Sequence, residues 1–474
     1  MVMVLFLACS CGSSGTVALS PGDPSRPDVI LVSVDSLRPD HLGAYGHSEA
    51  TSPFLDRLAG AGQRFTEARS HSPWTLPSHV TMLSGRGPLE HEVIEDTRRI
   101  PEDLPLIQVE LARAGYATGG FVSTIYVSDT YGFARGFDRF EDFDITKRTN
   151  LRHGVRAEQV VDEALSWAKT IDDKPIFLFV HLYDVHYPYL PPEPWNFQID
   201  KVGTRKSTRY RNYEYYLGNP VKSSRWTHLN AQYDESIAYA DAQLSRLGAS
   251  WARAGRKVTW VVTADHGEEL GEHGSWGHGH TLHPEVMRVP LIVSGDGVSA
   301  AAVRDERVGG IDVAATVAAL AGVPFPCSGV DVRGPVEPAR DVVFETSRFD
   351  SARLGLLTGD VRLELDLAGG RAITYEIGDP GERIGVPAIS PENLARLWAT
   401  VGERWNATGP VVTPAWIHAG GALQGHGYAG PGPFSLYPPD AKVDGPATRV
   451  TPLPPSAELS ETTREQLEAL GYQQ

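Results

Sequence analysis

The chain has 474 residues, of which 41% are hydrophobic and 22% are charged. This composition excludes a globally disordered chain, and the length is enough for a large core that needs no disulfide scaffold. The 43 basic and 59 acidic side chains give a net charge of −16, which argues against a nucleic-acid-binding surface. An anionic substrate would therefore have to be held by a local device, such as a metal ion.

The first element is an apolar run at residues 1–9, which is too short to span a bilayer. The stretch that follows is rich in Ser, Gly and Pro, and we interpret residues 1–26 as a secretory signal with a linker. The protein is then expected to be exported to the periplasm or the cell surface. A small residue before Cys9 is typical of a bacterial lipoprotein signal, although Phe6 is atypical there, and a lipid on Cys9 would be the only membrane attachment. An ordinary cleaved signal or a disordered tail is the alternative.

Strands and helices are predicted to alternate along residues 27–329. The predicted strands are short apolar runs at 28–34, 116–123, 175–182, 257–263 and 289–294. The predicted helices are at 51–61, 105–114, 157–170, 233–247 and 312–321, with a further helix start at 78–83. This alternation is typical of an α/β fold in which helices flank a mainly parallel central sheet.

The character of the sequence changes near Val330. Short alternating segments with tight turns predict a small antiparallel sheet from strands at 341–345, 353–358, 361–367 and 372–376. The stretch 419–455 is rich in Gly and Pro and is expected to be irregular, and a short helix is predicted at 461–470. Residues 330–474 are therefore expected to form a smaller C-terminal subdomain beside a main domain at 27–329.

Side chains that can bind metals follow three of the predicted strands. Asp35 follows the first strand, His186 the third, and Asp265 and His266 the fourth. Because ligands bind beyond the carboxyl ends of parallel strands, these side chains are expected to converge. Each residue taken singly is more simply a turn cap or a core histidine. The segment 263–280, however, is dense in Gly, His and acidic residues and favours a divalent cation.

A second kind of site is predicted where a proline-rich turn enters a helix. Pro73 and Pro77 would hold a rigid turn that leads to a helix N-terminus at Ser78. Such an N-terminus concentrates backbone N–H groups and favours an anion. Thr75 would present its hydroxyl beside this end, and His79 would lie in the first turn. A capped helix after a proline-rich loop is the alternative.

Five segments, in this order, resemble the sulfatase family of the alkaline phosphatase superfamily. They are residues 34–41, 72–79, 115–119, 181–188 and 263–280, and the segments 233–239 and 288–292 reinforce them. The resemblance implies a sulfatase-like catalytic domain at 27–329 and a hydrolase acting on ester bonds. It implies that Asp35, Asp265, His266 and the Thr75 oxygen bind one divalent ion, either Ca, Mg, Mn or Zn.

The resemblance also implies roles around the substrate. His186 matches a histidine near the scissile ester, and His278 takes the position of a substrate-binding lysine. Tyr116 and Thr118 match a Gly-Tyr-x-Thr segment that lines the pocket, and are expected to bind substrate. The substrate itself is expected to be a small anionic ester, on a carbohydrate or a lipid.

The nucleophile segment departs from the family pattern. Where the family has Cys-x-Pro-Ser-Arg, this chain has Thr75-Leu76-Pro77-Ser78-His79. Sulfatases convert the Cys or a Ser to formylglycine, and threonine cannot give that aldehyde, so no formylglycine is expected. Thr75 itself would attack sulfur or phosphorus, and His186 or His278 would protonate the leaving oxygen. His79 and the backbone N–H groups at Ser78 would bind the substrate and balance the developing charge.

Other departures from the family pattern reduce the positive charge expected in the pocket. Ser36 replaces a ligand carboxylate, Glu92 replaces a glycine after His91, and Ser123 and Ile125 occupy positions of a family lysine and histidine. A pocket with one ion and titratable histidines fits a monoanion, such as a sulfate monoester, a phosphodiester or a phosphonate monoester. A phosphodiesterase or phosphonate monoester hydrolase is therefore the alternative activity, and a non-catalytic exported anion-binding protein is the rival class. A second ion is conceivable, with ligands drawn from Asp184, His186, His278 and His280.

Overall fold

A computed structural model describes most of the chain. The described residues are 19, 25–147, 154–197, 223–274, 276–299, 301–346, 348, 353–366, 371–377 and 385–386, with short pieces between 393 and 464. The predicted export segment with Cys9 lies almost wholly outside them, as does the predicted terminal helix at 461–470. Within these residues, no helix combines the length and the apolar character that crossing a membrane requires.

A mostly parallel sheet of eight strands forms the centre of the molecule, as the sequence predicts. The first ten strands in chain order are β1 (Asp28–Val34), β2 (Gln63–Arg69), β3 (Ala117–Phe121), β4 (Arg139–Glu141), β5 (Ile176–Leu182), β6 (Val258–Thr263), β7 (Glu269–Leu270), β8 (Trp276–Gly277), β9 (Leu291–Gly295) and β10 (Ala302–Gly309). The order across the sheet is β10-β2-β9-β6-β1-β5-β3-β4, and β7 with β8 forms a separate hairpin. Strand β9 runs antiparallel to both of its neighbours.

Helices cover this sheet. They are α1 (Pro53–Ala61), α2 (Thr75–Ser84), α3 (Pro88–His91), α4 (Ile107–Arg113), α5 (Ala157–Ala168), α6 (Ser223–Ala254), α7 (Pro284–Met287) and α8 (Ile311–Ala321). Strands β1 and β5 are buried at every position, which requires cover on both faces and explains their continuous apolar sequences. Helix α5 contacts β3 and β5, and α8 contacts β1, β6 and β10. The core therefore lies on the central strands that lead to the predicted site.

Two local predictions are corrected. Helix α2 begins at Thr75 rather than Ser78, so Pro77 lies inside its first turn. Proline is tolerated there because the first N–H groups of a helix have no partner within it. Strands β2 and β10 were not predicted, because charged residues interrupt their apolar positions and only part of each strand is buried.

The C-terminal part contains the predicted antiparallel sheet. Its five strands are β11 (Val342–Thr346), β12 (Arg353–Thr358), β13 (Val361–Asp366), β14 (Arg371–Glu376) and β15 (Gly385–Val386), paired in that order. Strand β11 reaches the loops near the predicted site, since the Glu345 N–H donates to the His71 carbonyl (3.0 Å) and the Thr346 hydroxyl donates to the Gly279 carbonyl (2.8 Å). The small sheet therefore supports the loop that enters α2.

Part of the stretch expected to be irregular forms strands instead. A second antiparallel sheet contains β16 (Ile417–Ala419), β17 (Ala422–Gly425) and β18 (Tyr428–Pro431). Gly-Gly and His-Gly pairs separate these strands in the sequence, and glycine-containing pairs are typical of hairpin turns. The rest of 419–455 lies outside the described residues.

Candidate active site at the carboxyl ends of the central strands

Three of the predicted metal ligands meet beyond the ends of β1 and β6. Asp35, Asp265 and His266 are fully buried, and one ligand atom from each lies within 4.8 Å of the others. The convergence follows from the topology, because β1 and β6 are adjacent parallel strands that end together. Thr75, the first residue of α2, places its Oγ1 3.5 Å from Asp35 Oδ2 and 3.5 Å from His266 Nε2.

The carboxyl group of Asp265 is arranged to bind a cation. Its Oδ1 accepts the backbone N–H groups of Ser36 (3.1 Å) and His266 (2.9 Å). Its Oδ2 is buried without a hydrogen-bond partner among the residues that the structure describes. Burial and the nearby charge of Asp35 raise the pKa of Asp265 to about 6. A divalent ion would remove this repulsion, and carboxylate, imidazole and hydroxyl groups are suitable ligands, so the residues fit the predicted metal.

Ser36 orients the carboxyl group of Asp35. Its hydroxyl donates to Asp35 Oδ1 (2.8 Å), and its backbone adopts a left-handed φ of 59°. The Tyr233 hydroxyl donates to the Ser36 carbonyl (2.6 Å) and accepts the Arg38 N–H (2.9 Å), which fixes this turn. Burial opposes ionisation of Asp35, but nearby imidazoles, foremost that of His181, outweigh it and lower the pKa of Asp35.

His79 positions Thr75 and lies beside the ligand group, with its Nδ1 3.7 Å from Asp265 Oδ2. Its Nδ1 donates to the Thr75 carbonyl (2.8 Å), and its Nε2 accepts the Ser33 hydroxyl (3.0 Å). Burial lowers the pKa of His79 well below its usual range, so the ring is neutral. This corrects the expectation that His79 replaces the family arginine as a charge-balancing group.

His181 is a site residue that the sequence analysis missed. It lies on β5 beside Ser33, and its Nε2 is 3.5 Å from Asp35 Oδ2. This Nε2 is buried without a hydrogen-bond partner within the described ranges, while Nδ1 is 3.1 Å from Ser123 Oγ. The signal was a histidine just before the end of an apolar strand, where a buried imidazole needs a partner. Ser123, at the family lysine position, thus orients an imidazole.

We expect His181→Ala to lower metal affinity or kcat/KM by about 10- to 100-fold, as for partners that orient metal ligands. The measurement is the rate of ester hydrolysis as a function of metal concentration. Circular dichroism checks that the variant is folded like the wild type. His91→Ala is the control, because His91 is also buried but binds Thr81 Oγ1 (3.1 Å) and the Val93 N–H (3.0 Å). Equal losses in both variants would mean that His181 is merely a core residue.

The rings of His186 and His278 lie beside the ligand His266. The His278 ring centroid lies 4.2 Å from that of His266 and 5.0 Å from that of His186. His278 Nδ1 is 2.8 Å from Glu268 Oε1, and the Tyr189 hydroxyl donates to Glu268 Oε2 (2.9 Å). Burial lowers the pKa of His278 and raises the pKa of Glu268, both well away from their usual values. Glu268 was not predicted.

A sulfatase-family model matches residues 27–323, which is more than half of the chain. This chain belongs to the sulfatase family. It is therefore a hydrolase of the alkaline phosphatase superfamily that acts on ester bonds, as the sequence predicted. Among curated relatives, the uncharacterized sulfatase YidJ of Escherichia coli K12 is 23% identical over 417 residues, which cover 75% of this chain and 82% of YidJ.

Solved structures confirm the sulfatase-like fold. The structure of BT4656 in complex with its substrate D-glucosamine-2-N,6-O-disulfate superposes with a TM-score of 0.67 at 17% identity, covering 81% of this chain and 98% of the other. The phosphonate monoester hydrolase SpPMH from Silicibacter pomeroyi gives 0.65 at 19% identity, covering 80% and 95%. At these identities the likeness establishes the fold alone.

In this sulfatase-family chain, Tyr116 and Thr118, which the resemblance placed in the substrate pocket, lie at the opposite edge of the sheet from Asp35. The Tyr116 hydroxyl donates to the Pro27 carbonyl (3.3 Å), just before β1 begins. Thr118 is level with Val29 in the strand register. Asp35 is six residues further along, about 20 Å at the rise of a strand. Tyr116 and Thr118 therefore do not line a pocket at Asp35.

The remaining predicted residues serve local structure. The Ser78 hydroxyl donates to the Ser72 carbonyl (2.8 Å) and so shapes the turn before α2. Asp184, a candidate for a second ion, accepts the Ala157 N–H (2.8 Å) at the start of α5, and burial raises its pKa to about 7. The structure does not gather Asp184 with His186 or His278 into a ligand group among its described residues.

Arg348 brings a positive charge beside the turn that leads to Thr75, and no sequence signal pointed to it. Its guanidinium lies 4.1 Å from the ring centroid of Trp74, the residue before Thr75, and 5.1 Å from that of Tyr126. It also donates to the Tyr126 hydroxyl (2.9 Å). Because it follows β11, it reaches this position only through the packing of the C-terminal sheet against the main domain.

Proposed function

We propose that this chain uses one divalent ion and the Thr75 hydroxyl to hydrolyse a monoanionic sulfate- or phosphate-type ester. The observation that carries the proposal is the position of Thr75 Oγ1, 3.5 Å from both Asp35 Oδ2 and His266 Nε2. Thr75 also begins a ten-residue helix, whose first N–H groups favour an anion. The Thr75 hydroxyl therefore lies beside the proposed metal ligands and at a helix N-terminus that favours an anion.

The chain's own residues account for the chemistry as follows. An ion bound by Asp35, Asp265 and His266 would lower the pKa of the hydroxyl and withdraw charge from the ester oxygen. His79 holds the Thr75 carbonyl and so fixes the direction of Oγ1. The Thr75 hydroxyl loses its proton to solvent, and attack by the Oγ1 alkoxide forms a bond to sulfur or phosphorus and breaks the bond to the leaving oxygen. Water then hydrolyses the ester on the chain.

Glu268 and His278 form the pair best placed to protonate the leaving oxygen. The pKa of Glu268 is raised and the pKa of His278 is lowered, so both groups are neutral. The Glu268 carboxylic acid then donates to His278 Nδ1 (2.8 Å). His278 Nε2 then carries a hydrogen that it can give to a neighbouring oxygen, while the Glu268 proton moves to Nδ1. This relay replaces the fixed charge of a lysine with a proton donor.

We expect His278→Ala to lower kcat/KM by about 10²- to 10⁴-fold for alkyl esters, because a poor leaving group needs a proton. The loss should be much smaller for 4-nitrophenyl esters, whose leaving group needs none. Glu268→Gln should follow the same pattern, since it removes the proton supply. Rates measured on both ester types check this, and an equal loss on both would assign His278 to substrate binding.

Charge balance favours a monoanion as substrate. One divalent ion is offset by the carboxylates of Asp35 and Asp265, and burial keeps His79 and His278 neutral. Sulfate monoesters, phosphodiesters and phosphonate monoesters carry one charge, whereas phosphate monoesters carry nearly two near neutral pH. The fold shared with a phosphonate monoester hydrolase, together with a nucleophile that needs no formylglycine, supports a phosphodiester or phosphonate monoester as the alternative.

The test is a panel of chromogenic esters assayed with Mg²⁺, Ca²⁺, Mn²⁺ and Zn²⁺ after chelation. The panel contains 4-nitrophenyl sulfate, bis(4-nitrophenyl) phosphate, a phenylphosphonate 4-nitrophenyl ester and 4-nitrophenyl phosphate. We expect metal-dependent turnover of a monoanion and slower turnover of 4-nitrophenyl phosphate. Preference for the dianion would refute the charge argument, and inactivity on all four would favour an anion-binding protein.

An export signal at residues 1–26, with or without a lipid on Cys9, would direct the activity to esters outside the cytoplasm.

A further inference from the structure

We propose a second cation site, formed by Glu269, His273 and His283, which takes Zn²⁺. One ligand atom from each of these residues lies within 4.8 Å of the others. The group shares no residue with the ligands Asp35, Asp265 and His266. It lies on the β7–β8 hairpin and on the loop that leads to α7, next to the segment that carries His278.

Glu269 supplies a buried anion to this group. Its side chain has no exposed surface, its Oε1 contacts His283 Nδ1, and it accepts the Thr281 hydroxyl (3.0 Å). Its Oε2 lies 3.5 Å from His280 Nε2. Burial alone would raise the pKa of Glu269, but hydrogen bonds with His280 and His283 outweigh it and leave the pKa well below its usual range. The carboxylate is therefore ionised and can act only as an acceptor.

The two imidazoles are held as ligands are held in metal sites. The ring centroids of His273 and His283 lie 3.8 Å apart, which is close enough for both rings to bind one cation. His273 Nε2 is 3.1 Å from Glu285 Oε2, the contact by which a carboxylate orients a metal-bound imidazole through its other nitrogen. Both rings are partly exposed, so an ion can enter from solvent.

The ligand chemistry selects Zn²⁺ over Ca²⁺ and Mg²⁺. Two imidazole nitrogens and one carboxylate form a three-ligand zinc set, with a fourth position for water, whereas the two hard cations require mainly oxygen ligands. Such an ion would fasten the β7–β8 hairpin to the start of α7. Because Glu268 precedes this hairpin and His278 follows it, the ion would hold the proposed proton-donating pair in place. The role proposed for the ion is to hold these elements together, and the existence of the site does not depend on the proposed reaction.

The experiment uses the Asp265→Asn protein, in which loss of the carboxylate weakens binding at the active site, and zinc concentrations that leave the weakened site empty. Purified full-length chain is stripped with chelator and titrated with Zn²⁺ by calorimetry, and bound zinc is counted by elemental analysis. We expect one ion per chain, a rise in melting temperature on zinc addition, and loss of both effects in Asp265→Asn proteins that also carry His283→Gln or Glu269→Gln. His273→Gln and His283→Gln, at partly exposed positions, keep the test informative in case the buried change Glu269→Gln impairs folding.

The matched control is His41→Gln on the same background. His41, His47 and Asp234 form another group of potential ligands, with His41 Nδ1 2.6 Å from Asp234 Oδ1. We expect this control to keep the bound zinc. The proposal is overturned if no zinc binds, if binding survives all three changes in the proposed group, or if His41→Gln removes the ion instead. None of these outcomes bears on the active-site ion, which the wild-type protein tests separately.

Discussion

Thr75→Ala is expected to lower kcat/KM by about 10⁴-fold or more, with the protein still folded. The reason is that the Thr75 hydroxyl lies 3.5 Å from both Asp35 Oδ2 and His266 Nε2, and loss of a nucleophile removes the covalent route altogether. The measurement is steady-state hydrolysis of whichever ester the wild-type protein turns over. The removed hydroxyl makes only long contacts of 3.5 Å, so little stability should be lost.

Thr75→Ser is the matched control, because it keeps the hydroxyl and removes only a methyl group. It should retain most of the activity, and rapid quenching followed by mass spectrometry should find the transferred group on residue 75 in both active proteins. Substantial turnover by Thr75→Ala would mean that water attacks the ester directly. The family assignment would survive that result, but the nucleophile assignment would not.

The convergence of the proposed metal ligands could be predicted from sequence, because residues that follow adjacent parallel strands lie at one edge of the sheet. Asp35 and Asp265 follow continuous apolar runs, and runs of that kind become adjacent parallel strands whose ends coincide. The same logic exposes the error at Tyr116 and Thr118. They stand at the beginning of β3, and in a parallel sheet the beginnings of strands lie at the opposite edge from Asp35. The match of Tyr116 and Thr118 to a short segment of the family did not indicate which edge of the sheet this segment occupies.

The residues that were missed depend on packing rather than on local pattern. His181 lies beside Ser33 through strand register, and a single buried histidine in an apolar run is compatible with an ordinary core. Glu268 was one acidic residue in a segment rich in them, and only the fold selects it as the partner of His278. Arg348 reaches Trp74 from the C-terminal sheet, across a separation in sequence that no local pattern bridges. Tertiary contacts of this kind are set by the fold as a whole.

Asp265→Asn is expected to lower kcat/KM by about 10³-fold, since an ion that stabilises a transition state contributes several kcal/mol. Asparagine keeps the shape of the side chain but removes the charge that the ion needs. Metal content and activity should therefore fall together, and raising the metal concentration should restore part of the activity. Loss of activity at full metal occupancy would instead make Asp265 a group that acts on the substrate.

The Asp265→Asn change also tests whether Asp265 is a metal ligand or a residue needed for folding. If Asp265 is a ligand, thermal stability in chelator should stay the same or rise while activity falls. In chelator, the pKa of Asp265 is raised from 3.8 to about 6, so its contribution to stability is present below about pH 4 and is lost as the pH rises through 6. Asp265→Asn lacks this loss, so above pH 6 it should melt at or above the temperature of the metal-free wild type. A lower melting temperature in chelator would show that Asp265 stabilises the fold without an ion, because relief of the repulsion from Asp35 would then be the smaller effect.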